Sequence, residues 1–157
     1  MKKTKYSEYI RLYKKDLYII AKAILNNESD TEDAVSNAIL KGYENIHQLR
    51  NIKKFKPWMM TITRNEALKI KKKRLELPGN DMVEAMLNPI QDEYDEMWDI
   101  LHGIKEEYRL VIVLFYYDGM SLKDISNVLN IPLGTVKSRL SRGKEMIKEA
   151  LEKGGWK

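Results

Sequence analysis

The fold is decided by residues 121–146, which read SLKDISNVLNIPLGTVKSRLSRGKEM. Apolar residues recur at helical spacing after Ser121, and Ser121 with Asp124 has the form of a helix N-terminal cap. Residues 130–132 interrupt this pattern, and Pro132 is unfavourable inside the first helix but favourable at the start of a second one. The stretch therefore predicts two helices joined by a short turn, a helix-turn-helix.

The second helix of this pair has two chemically different sides. At about 100° per residue, one side collects the apolar or small residues Val136, Leu140, Gly143 and Ile147. Another side collects hydrogen-bond donors: Lys137, Ser138, Ser141 and Arg142. Arginine bonds a guanine edge bidentately, lysine contacts a base or a phosphate, and serine lets a helix approach closely. This side predicts a reader of the DNA major groove, and the alternative is a pair of amphipathic helices packed for structural reasons alone.

The rest of the chain predicts an all-α protein. Apolar residues step by three or four along a first helix: Ile10, Tyr13, Leu17, Ile20 and Ile24. A second helix is predicted to begin with a capping box formed by Ser29 and Glu32 and to bury Ala34, Val35, Ala38, Ile39 and Gly42. A third helix begins near Phe55, with a predicted inner side of Phe55, Trp58, Met59, Ile62 and Asn65.

The charge pattern predicts two basic units joined by an acidic linker. The chain of 157 residues has a net charge of +5, yet Leu75 to Ile104 contains eight acidic residues and no Lys or Arg. Two Pro-containing breaks lie in this stretch, at residues 78–80 and 88–89. We therefore predict two small helical domains, residues 1–74 and 95–157, and a flexible acidic linker at residues 75–94.

Composition argues against several classes of protein. There is no cysteine, so disulfides and cysteine-based metal sites are excluded, and no stretch has the roughly 20 apolar residues of a membrane span. The two histidines, His47 and His102, fall in different predicted domains, and no glycine-rich phosphate loop is present. We expect a cytoplasmic protein that is not an enzyme and has no metal, cofactor or small-molecule substrate.

A family resemblance is carried by residues 134–143, GTVKSRLSRG, which are similar to the G-T-V-K-S-R-L-x-R-A run of sigma factor region 4. Residues 118–125 resemble the preceding E-G-x-S-x-x-E-I of that family. The resemblance implies a region 4 helix-turn-helix that reads the −35 promoter element, with Thr135 joining the four donors above. Gly143 stands where the family usually has alanine, which predicts a slightly looser helix.

The amino-terminal half resembles sigma factor region 2. Residues 30–41, DTEDAVSNAILK, are similar to region 2.2, which in the family docks on the clamp coiled coil of the polymerase β′ subunit. The resemblance implies that polymerase is bound by Asp30, Glu32, Asp33, Asn37 and Lys41. Ser36 and Asn37 replace the family's usual Gln-Glu, which predicts a difference in the polar part of this contact.

Residues 55–65, FKPWMMTITRN, resemble regions 2.3 and 2.4, which melt and read the −10 element. The preceding segment, residues 47–54, corresponds to the loop that holds a flipped −10 base. The resemblance assigns −10 binding to Gln48, Arg50, Asn51, Lys53, Lys54, Arg64 and Asn65. We expect Trp58 to belong to the core rather than to stack on DNA, and the cations of residues 69–74 to bind phosphate.

Regions 1.1 and 3 of the housekeeping factors have no counterpart, so the chain resembles the extracytoplasmic-function (ECF) group. The implied partners are core RNA polymerase, through its β′ clamp coiled coil and β flap, promoter DNA, and an anti-sigma factor. The acidic linker is expected to lie in a positively charged channel of the polymerase, and the alternative is a tether that stays soluble and away from DNA. The alternative function is a stand-alone helix-turn-helix regulator, which would not need the region 2 motifs.

Overall fold

The computed structural model describes residues 3–77 and 96–154, and the chain divides into two compact units, residues 1–90 and 91–157. Both described ranges consist of helices and the turns between them, without a strand. No helix in these ranges is both long and apolar enough to span a bilayer. The all-α expectation is confirmed, and most of the predicted linker lies outside the described residues.

In residues 3–77, the part that the structure describes, the first unit is a bundle of three long helices. They are α1 (Lys3–Ile24), α2 (Glu28–Glu44) and α3 (Phe55–Glu76), with two short 3-10 turns, Ile46–Gln48 and Ile52–Lys54, between α2 and α3. Helix α3 packs against both α1 and α2. It continues two residues beyond the boundary predicted at residue 74.

The predicted apolar side of α1 is confirmed, because its members are buried or, at Tyr13, partly buried. The predicted inner side of α3 is only partly correct. Phe55 and Met59 are buried, but the next inner positions belong to Thr63 and Ala67, which continue the step of four residues. Asn65 is exposed, a position that fits its assignment to DNA better than its assignment to the core.

Helix α2 begins two residues earlier than the predicted capping box requires. The N-terminal cap is Asn27, whose side-chain oxygen accepts a hydrogen bond of 2.8 Å from the backbone N–H of Asp30. The hydroxyl of Thr31 donates to the carbonyl of Asn27 at 2.8 Å. The expectation of a Ser29 cap is therefore wrong, because Asn27 occupies the extended cap conformation and Ser29 is already helical.

The described part of the second unit, residues 96–154, contains four helices. They are α4 (Glu96–His102), α5 (Glu106–Tyr116), α6 (Leu122–Leu129) and α7 (Leu133–Lys153). Helix α5 is its centre, since every residue from Arg109 to Leu114 is buried and α7 packs along it. Burial lowers the pKa of the Arg109 guanidinium. The guanidinium donates to the carbonyl of Ile104 at 2.8 Å and so ties α5 to the end of α4.

Candidate functional site

Helices α6 and α7 form the predicted helix-turn-helix. Ser121 caps α6 by accepting a hydrogen bond of 3.1 Å from the N–H of Asp124. Asn130 ends α6 in the left-handed conformation, with φ of 54°, a backbone state that asparagine tolerates better than most residues. Pro132 then stands as the cap residue of α7 in an extended conformation. Each turn signal in the sequence therefore has the structural role expected of it.

The inner side of α7 packs on α5 at unusually short range. Val136, Leu140 and Gly143 are buried. A Cβ atom at Gly143 would lie 2.9 Å from Cγ1 of Ile112, closer than side chains normally approach. Glycine at this position therefore gives space to Ile112 of α5.

The outer side of α7 is a continuous polar surface. Lys137, Ser138, Ser141 and Arg142 are all exposed, and Thr135 is partly exposed. The hydroxyl of Ser138 donates to the carbonyl of Thr135 at 3.1 Å, which leaves the oxygen's lone pairs facing outward as acceptors. The structure thus places the five residues assigned to −35 recognition on the accessible side of one helix.

Two acidic residues on this outer side were missed by the sequence reasoning. Nη1 of Arg142 lies 3.1 Å from Oε2 of Glu145 and 4.0 Å from Oε1 of Glu149. Their spacing of three and seven residues from Arg142 is the signal that could have identified them, since residues so spaced share a helix side. The outer surface of α7 therefore carries charges of both signs, and Arg142 is held there by its ion pair with Glu145.

The loop assigned to the flipped −10 base is built from the two 3-10 turns of the first unit. Gln48, Arg50, Asn51, Lys53 and Lys54 are all exposed. The side chain of Asn51 caps the second turn by accepting from the N–H of Lys53 at 3.0 Å. The amide of Gln48 donates to Asn45 at 3.2 Å. The loop thus presents amide groups and cations from an ordered backbone.

The remaining residues assigned to −10 binding lie on α3. Nη1 of Arg64 is 3.5 Å from the side-chain oxygen of the exposed Asn65, while the Nε atom of Arg64 is buried. Trp58 is only partly buried, with its ring centroid 6.2 Å from that of Phe55. The expectation that Trp58 belongs to the core is therefore only half correct, because its ring contacts the buried Phe55 and remains partly exposed.

The assignment of Asp30 to the polymerase contact needs correction. Asp30 is 5% exposed, and its two carboxylate oxygens accept hydrogen bonds of 2.9 and 2.8 Å from Nε and Nη2 of Arg74. This bidentate pair joins the first turn of α2 to the last turn of α3. A carboxylate engaged inside the unit is not available to a partner, so Asp30 does not belong to the contact surface, and the guanidinium of Arg74 is directed to Asp30.

The other polymerase-assigned residues form an outward surface of α2. Glu32, Asp33, Asn37 and Lys41 are exposed. Leu40 is exposed to 63% beside them, and the sequence reasoning did not single it out. An exposed leucine flanked by carboxylates and an amide has the composition of a protein contact, in which an apolar centre is ringed by polar groups.

A buried carboxylate that was also missed lies next to this surface. Glu66 of α3 is 8% exposed, and its Oε1 atom is 3.5 Å from Nζ of Lys41 and 3.4 Å from Nζ of Lys69. A cleft of about 470 Å³ opens beside it, lined by Lys41, Ile62, Asn65, Glu66, Leu68, Lys69 and Lys72. The carboxylate of Glu66 thus forms ion pairs with one lysine of α2 and one lysine of α3.

Comparison with known proteins identifies the family of the chain. The Sigma-70 region 2 family profile matches residues 9–75, and the Sigma-70 region 4 profile matches residues 94–147. The ECF RNA polymerase sigma factor SigW of Bacillus subtilis is 30% identical, in an alignment that covers 93% of this chain and 88% of that protein. RNA polymerase sigma factor SigV of the same organism is 24% identical, covering 90% of this chain and 87% of that protein.

Two solved structures share the fold. One is the sigma factor RpoE in complex with the anti-sigma factor NepR from Bartonella quintana, with a TM-score of 0.78 and 21% identity over 94% of this chain and 97% of that one. The other is CnrH in complex with the cytosolic domain of CnrY, with a TM-score of 0.75 and 17% identity over 96% of this chain and 90% of that one. With both profiles and the SigW relationship, the chain belongs to the ECF sigma factors of the sigma-70 family, which direct promoter-specific initiation by RNA polymerase.

Proposed function

We propose that the outer surface of α7 reads the −35 element in the DNA major groove, with Arg142 and Lys137 as the principal base and phosphate contacts. The observation that carries this proposal is the separation of the helix into a buried apolar side and an exposed donor side. Ser138 and Ser141 are short, so the helix backbone can approach the base edges closely. Thr135, near the start of the helix, completes the surface.

The first unit acts on the −10 element in this proposal. The ordered loop of residues 46–54 offers amide groups that can bond the edge of an unstacked base, beside the cations Arg50, Lys53 and Lys54. Capturing a flipped base must offset a few kcal/mol of unstacking, so a site with both polar edges and positive charge is required. Asn65 and Arg64 extend the same function onto α3.

Core polymerase binds to the outer surface of α2 in this proposal. Glu32, Asp33, Asn37 and Lys41 surround the exposed Leu40, and the fold of the first unit leaves this surface open. The partner in the polymerase is the β′ clamp coiled coil, and the second unit contacts the β flap. A protein with these partners works in the cytoplasm, and its role is recognition and positioning rather than catalysis.

An anti-sigma factor is the further partner that we propose. The two solved proteins of similar fold were each described in complex with another protein, RpoE with the anti-sigma factor NepR and CnrH with the cytosolic domain of CnrY. The stand-alone regulator is the alternative function, and the match of residues 9–75 to region 2 argues against it.

Run-off transcription with core polymerase over a library of promoters tests the proposal. A sigma factor supports promoter-selective transcription and binds core, whereas a stand-alone regulator does neither. Arg142→Ala should relax the preference at one −35 base position, because a good bidentate contact contributes about 1–3 kcal/mol of discrimination. Arg139→Ala is the matched control, since Arg139 is on the same helix but pairs with Glu107 of α5 at 3.6 Å. An unchanged preference in Arg142→Ala would show that the reading surface is assigned wrongly.

A further inference from the structure

Two glutamates lie on the same side of α7 as the residues that we assign to DNA, about one and two helical turns beyond Arg142. At about 100° per residue, Glu145 and Glu149 each lie roughly 20° from Ser138 around the axis of α7, on either side of it. Both are well exposed, at 65% and 59% of the side chain. A polyanion such as DNA repels carboxylates on an approaching surface, so these residues oppose binding unless they have a compensating role.

Their contacts with Arg142 indicate what that role is. Glu145 accepts a hydrogen bond of 3.1 Å from Nη1 of Arg142, and Glu149 lies 4.0 Å from the same nitrogen. A guanidinium has five N–H donors in a fixed plane. Because the hydrogen bond to Glu145 uses Nη1, the edge formed by Nη2 and Nε is left to face a second, bidentate acceptor. The side chain remains 49% exposed, so such an acceptor can reach it.

Stability of the helix does not explain the arrangement. An exposed ion pair typically contributes well under 1 kcal/mol to the free energy of unfolding, because water screens it and ordering two long side chains costs entropy. Fixing a flexible side chain before binding has a larger effect on recognition, since each rotamer-rich side chain immobilised at an interface costs about 0.5–1.5 kcal/mol. An arginine already held by its own helix avoids part of that cost.

We propose that Glu145, assisted by Glu149, is a specificity-determining positioning residue for −35 recognition. It holds Arg142 so that Nη2 and Nε meet the O6 and N7 acceptors of a guanine. Its charge also penalises loose pairing of Arg142 with a phosphate, which carries no sequence information. This inference rests on the proposed reading surface of α7. The competing possibility is that Glu145 merely sequesters Arg142 and weakens binding to all DNA equally.

The test uses holoenzyme reconstituted from core polymerase and the full chain, with affinity measured on duplex promoters. The probes are the preferred −35 sequence, a scrambled −35 sequence, and three single-base variants of the preferred sequence. The variants carry the other three bases at the position where Arg142→Ala removes the base preference. In Glu145→Gln, affinity for the substituted and scrambled probes should rise while affinity for the preferred probe changes little. Discrimination should fall by about twofold to tenfold. Helicity by circular dichroism should be unchanged because the residue is exposed.

A double variant and a matched control make the result specific. Combining Glu145→Gln with Arg142→Ala should lower discrimination no further than Arg142→Ala alone, because Glu145 acts through Arg142. Glu152→Gln removes the same charge from the same exposed helix end and should leave discrimination unchanged.

Three results would overturn the inference. An equal rise of affinity for every probe in Glu145→Gln would assign the residue to general repulsion. If Arg142→Ala abolishes discrimination between the probes and Glu145→Gln leaves it intact, this inference alone is overturned. A preference unaffected by Arg142→Ala would overturn the reading surface and this inference together.

Discussion

At the scale of single residues, burial changes the pKa of the Tyr6 hydroxyl. The hydroxyl of Tyr6 is buried in the first unit, where it donates to the carbonyl of Ile39 and lies 3.8 Å from the sulfur of Met59. Burial raises the pKa of Tyr6 from 10.0 to about 12, because the phenolate would lose its hydration there. Ionisation of Tyr6 therefore destabilises the fold of the first unit.

A pH dependence of stability follows from this shift. Tyr6 is neutral in both states below pH 10, and above it the unfolded chain ionises first. Its contribution to the free energy of unfolding is therefore complete below about pH 10 and is lost as pH rises towards 12. Denaturant unfolding of wild type and Tyr6→Phe between pH 8 and 11.5 measures this, because other titrating groups are shared. The stability difference between the two proteins should change in favour of Tyr6→Phe as pH rises, and a constant difference would contradict the prediction.

At the scale of elements, the close packing of α7 on α5 depends on the absence of one Cβ atom. Alanine is favoured over glycine within a helix by about 1 kcal/mol. The added Cβ of Gly143→Ala would meet Ile112 at 2.9 Å, and overpacking of this kind costs about 1–3 kcal/mol. Ile112 is β-branched and its Cγ1 atom cannot easily move away. We therefore expect Gly143→Ala to destabilise the second unit in chemical denaturation.

The sign of this effect should reverse when Ile112 is shortened. In the Ile112→Ala background, Gly143→Ala should be stabilising, because the clash is gone and the helix preference remains. Gly134→Ala is a control in the same helix, with no atom within 4 Å of the added Cβ, and it should stabilise modestly in either background. If Gly143→Ala has the same sign in both backgrounds, packing against Ile112 is not the reason for the glycine.

The outer surface of α2 gives a second prediction at this scale. Asp33→Lys with Asn37→Lys should abolish binding to core polymerase while circular dichroism remains that of a helical protein, because both positions are exposed. Glu8→Lys with Leu12→Lys makes the same change in net charge at exposed positions of α1 and should leave core affinity nearly unchanged. Equal loss in both double variants would indicate an effect of charge alone rather than a contact through α2.

The elements themselves could largely be predicted from the sequence, because their apolar spacing and turn residues agree with one another. The helix-turn-helix is the clearest case, with Ser121, Asn130 and Pro132 at the positions their chemistry favours. The cap of α2 could not be decided this way, since Asn27 and Ser29 both suit an N-terminus and only packing selects between them. Contacts far apart in sequence, such as Asp30 with Arg74, leave no periodic signal at all.

At the scale of the whole molecule, the two units are joined through a segment whose sequence is strongly acidic. Residues 78–95 lie outside the described part of the chain, so the proposed channel for this segment stays a prediction. Glu96 is the first residue of α4 and belongs to the second unit rather than to the linker. A test of the proposed channel replaces acidic residues of this segment that all precede Glu96: Asp81, Glu84, Asp92 and Glu93.

Changing these four residues to Asn or Gln keeps the length of the segment and removes its charge. If the segment binds a positively charged surface of the polymerase, core affinity should fall and depend less steeply on salt. Neutralising four exposed acids elsewhere should have a smaller effect; suitable positions are Glu8, Glu44, Glu107 and Glu152. Wild-type affinity and salt dependence in the linker variant would leave the segment as a simple tether.

The pair of Asp30 and Arg74 determines where this chain can be cut when its two units are studied separately. The pair closes the first unit with the last turn of α3, so the natural end of that unit lies at or beyond residue 77, although the recognisable motif ends at residue 65. A fragment ended before Arg74 would keep every residue assigned to the −10 element, yet leave a buried carboxylate without its cation. Such a loss costs about 3–5 kcal/mol when both partners are buried and less here because Arg74 is 36% exposed, yet it remains a sizeable share of the roughly 5–15 kcal/mol that holds a domain folded. Weak binding by such a fragment would then reflect partial unfolding rather than a missing contact.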